Sequence, residues 1–343
     1  MRIGVVASLV SPLREAQLGG AQAFLSDLAR ALAARGHAVT VFAAAGSELA
    51  GLRLVTVPAP PDAERALVRP ARGTAAPAPP GLREAFARLF EAVRAEPLDA
   101  VSQHAFDAEA LELAADLPGG LPVLHTLHLP PLVPAVVAAA GRTRARLVTV
   151  SRAMRAAWAA AGVGGVEVIR NGVPAFEPPA GPVRPRALIA GRVSPEKGTA
   201  VAIEAARRAG LEPLVVGGVY DRGYWERSVR LPVEPVERHR LWRLMAESAV
   251  VLMPVEWDEP FGLVAAEAQM AGCPVVGYRR GGLPEVVADG AGGYLVPPGD
   301  LDALVAAVPA ALALDRRRIH RDARRRLDIR RAAAAYEAAL AAP

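Results

Sequence analysis

Short apolar segments alternate with helix-like segments in both halves of this sequence. Ile3 to Ser8 is an apolar run of the kind that forms a buried parallel strand. The next segment places Phe24, Leu28 and Leu32 on one helical stripe, and a second apolar run, HAVTVFAA, follows. The same order recurs in the second half as ALIAGRV, TAVAIEAARRAG and EPLVVGG. Such β-α-β units form parallel sheets with right-handed crossovers, so the sequence predicts an α/β protein with two such domains.

A proline-rich segment separates the two patterns. Pro174 to Pro185 contains five prolines in twelve residues, which disfavours both a helix and a central strand. We therefore predict a first domain over residues 1–173, a second over 174–326, and a C-terminal helix over 327–343 that packs back towards the first domain. We interpret Pro58 to Gly81, which is rich in Pro, Ala and Arg, as a mobile surface loop. Further strands are predicted at 122–128, 145–151, 166–173, 249–255 and 273–278.

The charge balance favours anionic partners. A net charge of +5 and a pI near 9.9 fit nucleic acid, anionic lipid or phosphorylated small molecules. Much of the excess lies in 315–331, where Ile319, Ala323 and Leu327 share one face, so we interpret this segment as an arginine-coated helix packed on that face. It lacks the interleaved aromatic residues that single-strand nucleic-acid binders use. Nucleic acid is therefore not the expected partner.

The cysteine content indicates a cellular compartment, and the hydropathy indicates whether the chain could span a membrane. Cys273 is the only cysteine, which excludes an internal disulfide and a thiolate metal cluster made by this chain alone, and a reducing cytoplasm fits best. No uncharged apolar run reaches the roughly 18 to 20 residues of a spanning helix, so integral membrane association is not expected. The oligomeric state stays open.

The most informative stretch is EPFGLVAAEAQMAG, residues 259–272. Glu259 and Glu267 are separated by seven residues, and Pro260 suits the first turn of a helix that would begin just after Glu259. A continuous helix would hold the two carboxylates about 12 Å apart along its axis, comparable in length to a ribose–diphosphate–hexose unit. Its free amides would form a phosphate site.

These motifs together resemble those of retaining glycosyltransferases of family 4. The resemblance covers nearly the whole chain and includes a Glu-x7-Glu element. The other matching motifs are GGAQ at 19–22, RGHAVTV at 35–41, T-x-H at 126–128, VSR at 150–152, NGV at 171–173, GRVSPEKG at 191–198, and PVV followed by GGLPEVV after EAQMAG. The resemblance implies the GT-B fold, in which two Rossmann-like domains with parallel sheets face each other across a cleft and a C-terminal helix crosses back.

The resemblance also implies donor-site roles in the second domain. Arg192 and Lys197 match the cations that bind the donor diphosphate, and they stabilise its charge as it leaves. Glu267 matches the residue that binds the nucleotide ribose, and Glu259 the one that contacts the transferred sugar. The backbone amides of Phe261, Gly262 and Leu263 are expected to bind phosphate and sugar oxygens.

First-domain residues are assigned on the same basis. Gly19 and Gly20 match the family's glycine loop, which approaches the diphosphate. His128 matches the strand-end histidine beside the transferred sugar. The family often has an acidic residue after GGA, whereas this chain has Gln22, as in the inositol-lipid mannosyltransferase branch, so Gln22 is an acceptor-site candidate. We interpret His125 as a structural histidine with satisfied hydrogen bonds.

No metal site is predicted. The Asp300-Leu301-Asp302 segment resembles a helix N-cap with a favourable charge in the first turn. Motifs of P-loop proteins, zincins and α/β-hydrolases are missing from the sequence. The resemblance implies a metal-independent, cofactor-free hexosyltransferase that acts with retention on a nucleotide sugar, with a UDP-sugar slightly favoured. Its expected acceptor is a small hydroxylated natural product, nucleoside, pterin or sugar-like compound.

Two classes of alternative use the same fold. One is a GT-B-fold hydrolase, epimerase or phosphorylase, and the other is a noncatalytic protein that binds nucleotide sugars. Glu259, Arg192 and Lys197 are all present, which favours a catalyst over a binding protein.

Overall fold

The chain forms two compact units. The computed structural model describes residues 1–14, 19–61, 63, 79–118 and 120–342. One unit comprises residues 1–15, 21–170 and 329–343, and the other comprises 16–20 and 171–328. The prediction placed the change of domain at 173/174; in the structure, the backbone N–H of Val173 donates to the carbonyl of Leu327 at 2.8 Å, which ties residues 171–173 to the second unit. Most of the predicted loop Pro58–Gly81 lies outside the described residues.

The first unit is built on a seven-stranded sheet whose paired strands are all parallel. Its strands are β1 (Arg2–Val6), β2 (Ala38–Ala44), β3 (Arg53–Val57), β4 (Ala100–Gln103), β5 (Val123–Leu127), β6 (Arg146–Thr149) and β7 (Glu167–Val168). The order across the sheet is β3-β2-β1-β4-β5-β6-β7. Its helices are α1 (Gly20–Ala34), α2 (Leu82–Ala95), α3 (Ala108–Ala114), α4 (Pro134–Arg142), α5 (Arg152–Ala160) and α13 (Ile329–Ala341). The strand predicted over 166–173 is reduced to the two residues of β7.

Helices cover both faces of this first sheet. On one face, Phe24 and Leu28 of α1 and Tyr336 of α13 pack into one buried core. On the other face, Phe86 and Phe90 of α2 lie in a second core. Apolar residues on both faces explain why the central strands are continuous apolar runs, as parallel sheets require.

The second unit is built on a five-stranded sheet, also with parallel pairing throughout. Its strands are β8 (Arg184–Ala190), β9 (Glu212–Val216), β10 (Ser248–Met253), β11 (Val275–Tyr278) and β12 (Gly293–Val296). The order is β12-β11-β10-β8-β9. The helices are α6 (Thr199–Arg208), α7 (Arg222–Tyr224), α8 (Arg238–Glu247), α9 (Leu263–Met270), α10 (Leu283–Val286), α11 (Leu301–Leu312) and α12 (Arg316–Leu327), with a 3-10 turn at Pro195–Lys197 and a π turn at Trp225–Val229.

The helices after Asp300 follow the sequence predictions in part. The arginine-rich segment is helical as α12, and it buries Ile319, Ala323 and Leu327, which confirms the predicted face. The Asp300 side chain accepts from the backbone N–H of Ala303 at 2.8 Å, which confirms the predicted N-cap of α11. Asp328 adopts extended backbone angles, so the helix predicted over 315–331 ends at Leu327 and the C-terminal helix predicted over 327–343 begins at Ile329. Among the described residues, no helix is long and apolar enough to cross a bilayer.

Candidate active site

Two neighbouring strands of the second sheet carry most of the predicted donor-site residues. Strands β8 and β10 pair in parallel, so the loops that follow them leave the same edge of the sheet. Gly198, after β8, has a left-handed φ of 66°, and a Cβ there would lie 1.9 Å from the carbonyl oxygen of Pro254, after β10. The Glu256 N–H also donates to the Glu196 carbonyl at 2.9 Å. Only glycine permits this close approach, and it brings the two loops together.

Lys197 and Glu259 meet where these loops converge. The Lys197 Nζ donates to Glu259 Oε2 at 2.6 Å, and the indole N–H of Trp257 donates to the same oxygen at 2.9 Å. The Lys197 ammonium also lies 4.8 Å from the centroid of the Trp257 ring. Glu259 is 8% exposed, so these charge-assisted bonds act in a partly desolvated setting and hold the carboxylate in one orientation. The other oxygen, Oε1, is not used by either donor.

Trp257 is a site residue that the sequence prediction missed. It lies two positions before Glu259, directly beside the motif that drew attention to the glutamate. This adjacency could have identified Trp257 from the sequence, because the indole N–H of a buried tryptophan needs an acceptor and a neighbouring carboxylate can provide it.

Arg192 lies on the same loop, next to a second carboxylate. Its guanidinium is 3.7 Å from Glu196 Oε1 and stacks 5.5 Å from the centre of the Tyr220 ring. The Ser194 hydroxyl donates to the same Glu196 oxygen at 2.7 Å. The structure therefore brings Arg192 and Lys197 onto one loop but gives each its own carboxylate partner.

The predicted start of the Glu-x7-Glu helix is wrong. The helix α9 begins at Leu263, four residues after Glu259, because Gly262 takes a left-handed φ of 94° and serves as its N-cap. Pro260 and Phe261 therefore lie outside the helix, and the 12 Å spacing estimated along a continuous axis does not apply. The carbonyl of Gly262 accepts from Ala266, which leaves the amides of the first turn, beginning at Leu263, without intrahelical acceptors.

Glu267 lies inside α9 and is bound by an arginine from α8. Arg238 Nε donates to Glu267 Oε1 at 2.6 Å, and the glutamate is 4% exposed. The Arg238 guanidinium also stacks 5.0 Å from the Trp242 ring, which in turn stacks on Phe176 at 4.3 Å. Sequence reasoning missed Arg238, since 29 residues separate it from Glu267 and no motif marks it.

In the first unit, His128 follows β5 and is buried against other rings. Its Nε2 shares a hydrogen bond with His104 Nδ1 at 2.9 Å, and Phe24 packs edge-on to it with centroids 5.9 Å apart. Burial lowers the pKa of His128 to about 4, so the ring is neutral near pH 7. His104 was missed because the short strand β4 that precedes it was not predicted.

His125 differs from its prediction. It is buried, as a structural histidine would be, but neither ring nitrogen has a hydrogen-bond partner within the described part of the chain. Burial, followed by the charge of His128, lowers its pKa to about 3.

The remaining predicted residues lie at the start of α1. Gly20 is the first residue of that helix and Gly19 precedes it. Gln22 lies in the first turn, and its side-chain amide donates to the Ser11 hydroxyl at 3.2 Å. Among the described residues, no group of three or more His, Cys, Asp or Glu side chains is placed to hold a metal ion.

Family comparisons match both halves of the chain. The family described as Glycosyltransferase Family 4 matches residues 18–175, and Glycosyl transferases group 1 matches residues 180–327. A D-inositol 3-phosphate glycosyltransferase of Kribbella flavida is 30% identical over 375 residues, which cover 92% of this chain and 88% of that protein.

Other relatives of that name match over shorter segments. One from Mycobacteroides abscessus is 38% identical over 123 residues, which cover 31% of this chain and 27% of the relative. In this and two further relatives, the match spans about a third or less of the relative's length.

Solved structures match over almost the full chain. An Anabaena protein, HepE, in complex with UDP-glucose superposes with a TM-score of 0.74 at 20% identity and covers 99% of both chains. AviGT4, a glycosyltransferase involved in avilamycin A biosynthesis, gives 0.75 at 23% identity and covers 99% of this chain and 96% of its own. With the two family matches and the full-length relative, the chain belongs to glycosyltransferase family 4 and has the GT-B fold.

Proposed function

We propose that this glycosyltransferase moves a hexose, with retention and without a metal ion, from a nucleoside diphosphate sugar to a hydroxyl of a small acceptor. The observation that carries the proposal is the buried carboxylate of Glu259, held by Lys197 and Trp257 at the edge of the second sheet. One anchored carboxylate oxygen leaves the other to accept from sugar hydroxyls. The adjacent cations supply the charge that a departing diphosphate needs.

In the proposed chemistry, each donor-site residue of the second unit has a role. As the bond between the anomeric carbon and the phosphate oxygen breaks, negative charge grows on the diphosphate. Lys197 has three N–H donors, so it can keep Glu259 and still donate to phosphate. Arg192 and the first-turn amides of α9 add to that stabilisation. Glu267, held by Arg238, keeps an oxygen for the ribose hydroxyls.

Retention follows from front-face attack in this proposal. The acceptor hydroxyl approaches the face that the diphosphate leaves, and the departing phosphate oxygen takes its proton, so no enzymatic nucleophile is needed. We place His128 beside a hexose hydroxyl, and Gln22, near Ser11, beside the acceptor. The reaction would occur in a reducing cytoplasm, in keeping with a single cysteine.

The donor and acceptor are proposed in the light of the relatives. HepE is described in complex with UDP-glucose, so UDP-glucose is the first donor to test. Several relatives are named for D-inositol 3-phosphate, so a phosphorylated cyclitol is the first of the sugar-like acceptors. The basic charge of the chain is compatible with two anionic substrates.

Product analysis with defined donors tests the proposal. The full chain is incubated with UDP-, GDP-, ADP- and dTDP-hexoses and an acceptor panel, and products are identified by mass spectrometry and by the anomeric proton couplings. A new glycoside with the donor's anomeric configuration supports the proposal. Free sugar, an epimerised donor, an inverted glycoside or no product would each overturn it.

The same transfer assay with a chelator tests metal independence. Transfer should persist in excess EDTA, because Lys197, Arg192 and the α9 amides carry the charge of the leaving group. Loss of activity that magnesium or manganese restores would contradict this. In parallel, the preferred nucleotide at 100 times its dissociation constant should stabilise the protein by about 2.7 kcal/mol in thermal unfolding.

A further inference from the structure

A row of three hydrogen-bonded polar side chains runs through the interior of the first unit. The hydroxyl of Ser102, in β4, lies 2.8 Å from His104 Nε2, and His104 Nδ1 lies 2.9 Å from His128 Nε2. Strand β4 pairs with β5 in parallel, which brings residues after each strand to one edge of the sheet. Ser102, His104 and His128 are 0%, 3% and 5% exposed. The row therefore leads from the buried sheet to the histidine proposed to face the sugar.

Rings enclose this row and hold both imidazoles in place. The His104 ring stacks on His128 with centroids 5.1 Å apart, and it lies 5.7 Å from the Tyr336 ring. Phe24 packs against both histidines. Burial lowers the pKa of each histidine, so both are neutral near pH 7 and each ring carries one N–H.

Two arrangements of protons would satisfy the contacts between the three residues. In the first, Ser102 donates to His104 Nε2, and His104 Nδ1–H donates to His128 Nε2. The proton of His128 is then on Nδ1. In the second, His128 Nε2–H donates to His104 Nδ1, and His104 Nε2–H donates to the Ser102 oxygen, so His128 Nδ1 carries a lone pair.

The serine hydroxyl distinguishes the two arrangements. In the second, its own O–H would need another acceptor, but the hydroxyl makes no other hydrogen bond among the residues that the structure describes. A buried donor without an acceptor is costly, whereas an unused lone pair on an oxygen is tolerated better. In the first arrangement, the only donor without an acceptor in the described part of the chain is the Nδ1–H of His128. Unlike the hydroxyl of the fully buried Ser102, this nitrogen is not among the fully buried atoms that lack a partner, so a ligand or solvent can accept from it.

We propose that Ser102 and His104 are positioning residues that hold His128 in its Nδ1–H tautomer, so that His128 presents a hydrogen-bond donor to an oxygen of the transferred hexose. The inference rests on the proposed function, which places His128 beside that sugar. The Nδ1 of His128 has no partner in the described ranges of the chain, so it is the nitrogen left for a ligand. A sugar hydroxyl oxygen, which has lone pairs, suits an N–H donor of this kind.

Nitrogen NMR of the full chain tests the tautomer directly. The protein contains six histidines, so labelling them with ¹⁵N gives few enough signals for long-range ¹H–¹⁵N correlation spectra, which assign the protonated nitrogen of each ring. His128→Gln and His104→Gln identify the two signals. At pH 7 both rings should carry their proton on Nδ1. A proton on Nε2 of His128 would overturn the proposal.

Ser102 variants test whether the row matters for transfer. Ser102→Ala removes the hydroxyl that favours the first arrangement. The second arrangement would then leave the His104 Nε2–H without an acceptor, so we expect a mixture of the two His128 tautomers, not a complete switch, and a fall in kcat of about twofold to threefold. Nucleoside diphosphate affinity, measured by calorimetry, should be unchanged. Ser102→Thr keeps the hydroxyl on a strand residue and should restore both the tautomer and kcat. An unchanged tautomer or an unchanged kcat in Ser102→Ala would refute the role of Ser102.

Two controls separate this inference from the proposed function. Ser47→Ala removes another buried serine of the first unit, one that donates to the Ala44 carbonyl, and should leave kcat and the His128 signal unaltered. If Ser47→Ala lowers kcat as much as Ser102→Ala does, the effect of Ser102→Ala is explained by lost packing, and the inference is overturned. His128→Ala tests the proposed function itself. Normal turnover of His128→Ala would show that His128 does not contact the sugar, whatever the tautomer spectra show. Slow turnover of His128→Ala, together with a proton on Nε2 of His128 in the unmutated protein, would overturn only the inference about Ser102 and His104.

Discussion

At the scale of single residues, the donor site depends on how one carboxylate is held. Trp257→Phe keeps a ring beneath Lys197 but removes the indole N–H that donates to Glu259. Loss of one charge-assisted hydrogen bond should lower kcat about tenfold while the protein stays folded, because only the orientation of the carboxylate changes. Steady-state kinetics and a thermal melt of the variant measure both effects. Unchanged kcat would mean that Lys197 alone fixes Glu259.

The two glutamates should have different kinetic roles. Glu259→Ala should depress kcat by two or more orders of magnitude and leave nucleoside diphosphate affinity nearly intact, because we place it at the hexose. Glu267→Ala should raise the donor KM and weaken nucleotide binding, because a ribose contact is made equally in the ground and transition states. Calorimetry of nucleoside diphosphate binding and steady-state kinetics on both variants distinguish these two roles. The opposite assignment of effects would show that the donor binds in the reverse direction.

His125 is predicted to destabilise the fold, increasingly so towards acid pH. Its ring nitrogens lack partners in the part of the chain described, and its pKa is lowered to about 3. Below pH 6.5 the unfolded chain therefore binds a proton that the folded chain does not, so this residue's contribution to stability falls as the pH falls. His125→Leu should gain about 1 kcal/mol at pH 7 and roughly 2 kcal/mol more at pH 5.

Urea unfolding of His125→Leu at the two pH values measures this difference. His239→Ala, at an exposed position, is the control and should change the free energy of unfolding little at either pH. A gain for His125→Leu that does not grow towards pH 5 would contradict the assignment of a buried neutral ring.

At the scale of elements, the contact between the loops after β8 and β10 depends on one glycine. Gly198→Ala would place a methyl group 1.9 Å from the Pro254 carbonyl oxygen, so the two loops must separate. Gly210 has a similar left-handed φ of 72° but open space around it, which makes Gly210→Ala a matched control. We expect a loss of about 1 kcal/mol for the control and at least about 3 kcal/mol for Gly198→Ala in urea unfolding. Equal losses would show that the loops tolerate separation.

Most regular elements could be predicted because their apolar period was clear. The strands now identified as β1, β2, β5, β10 and β11 and the helices α1 and α12 correspond to long or strongly patterned segments. The strand β4 was missed because AVSQ is four residues long and ends in polar residues. The start of α9 was placed too early because Gly262, which is inside an otherwise helix-like run, takes a left-handed conformation.

The candidate site was predictable only in part, for a related reason. Lys197 and Glu259 could be brought together from strand adjacency, because both follow strands of one parallel sheet. The pairing of Glu267 with Arg238 could not, since α8 has no sequence motif and side-chain contacts between helices depend on packing that a linear pattern does not encode. His104 could not be predicted either, because it follows the short strand β4 and is linked to the candidate site only by its hydrogen bond with His128.

At the scale of the whole molecule, the two units differ in how the chain builds them. Apart from residues 16–20, the second unit is one continuous segment, 171–328, whereas the first needs 329–343 as well as its N-terminal part. Tyr336 of α13 is fully buried and shares a 2.9 Å hydrogen bond with Thr126 in β5, and Ile329 and Leu340 lie in the same core. A fragment 171–328 should therefore unfold cooperatively by itself, and a fragment 1–170 should not.

Circular dichroism melts and amide NMR spectra of the fragments check this prediction. Joining residues 329–343 to 1–170 through a short linker should restore a cooperative transition, because it returns the missing core helix. A well-dispersed spectrum from 1–170 without that helix would contradict the prediction.

The late position of α13 in the chain also sets an order for folding during translation. A ribosome adds roughly 5–20 residues per second, and N-terminal domains generally fold first as they emerge. Here the unit that is synthesised first lacks its last core helix until residue 341 has left the exit tunnel. The second unit, although made later, can fold before the first is complete. Until then, the part of one apolar sheet face that α13 covers stays exposed beside α1, and exposed apolar surface of this kind is what chaperones bind.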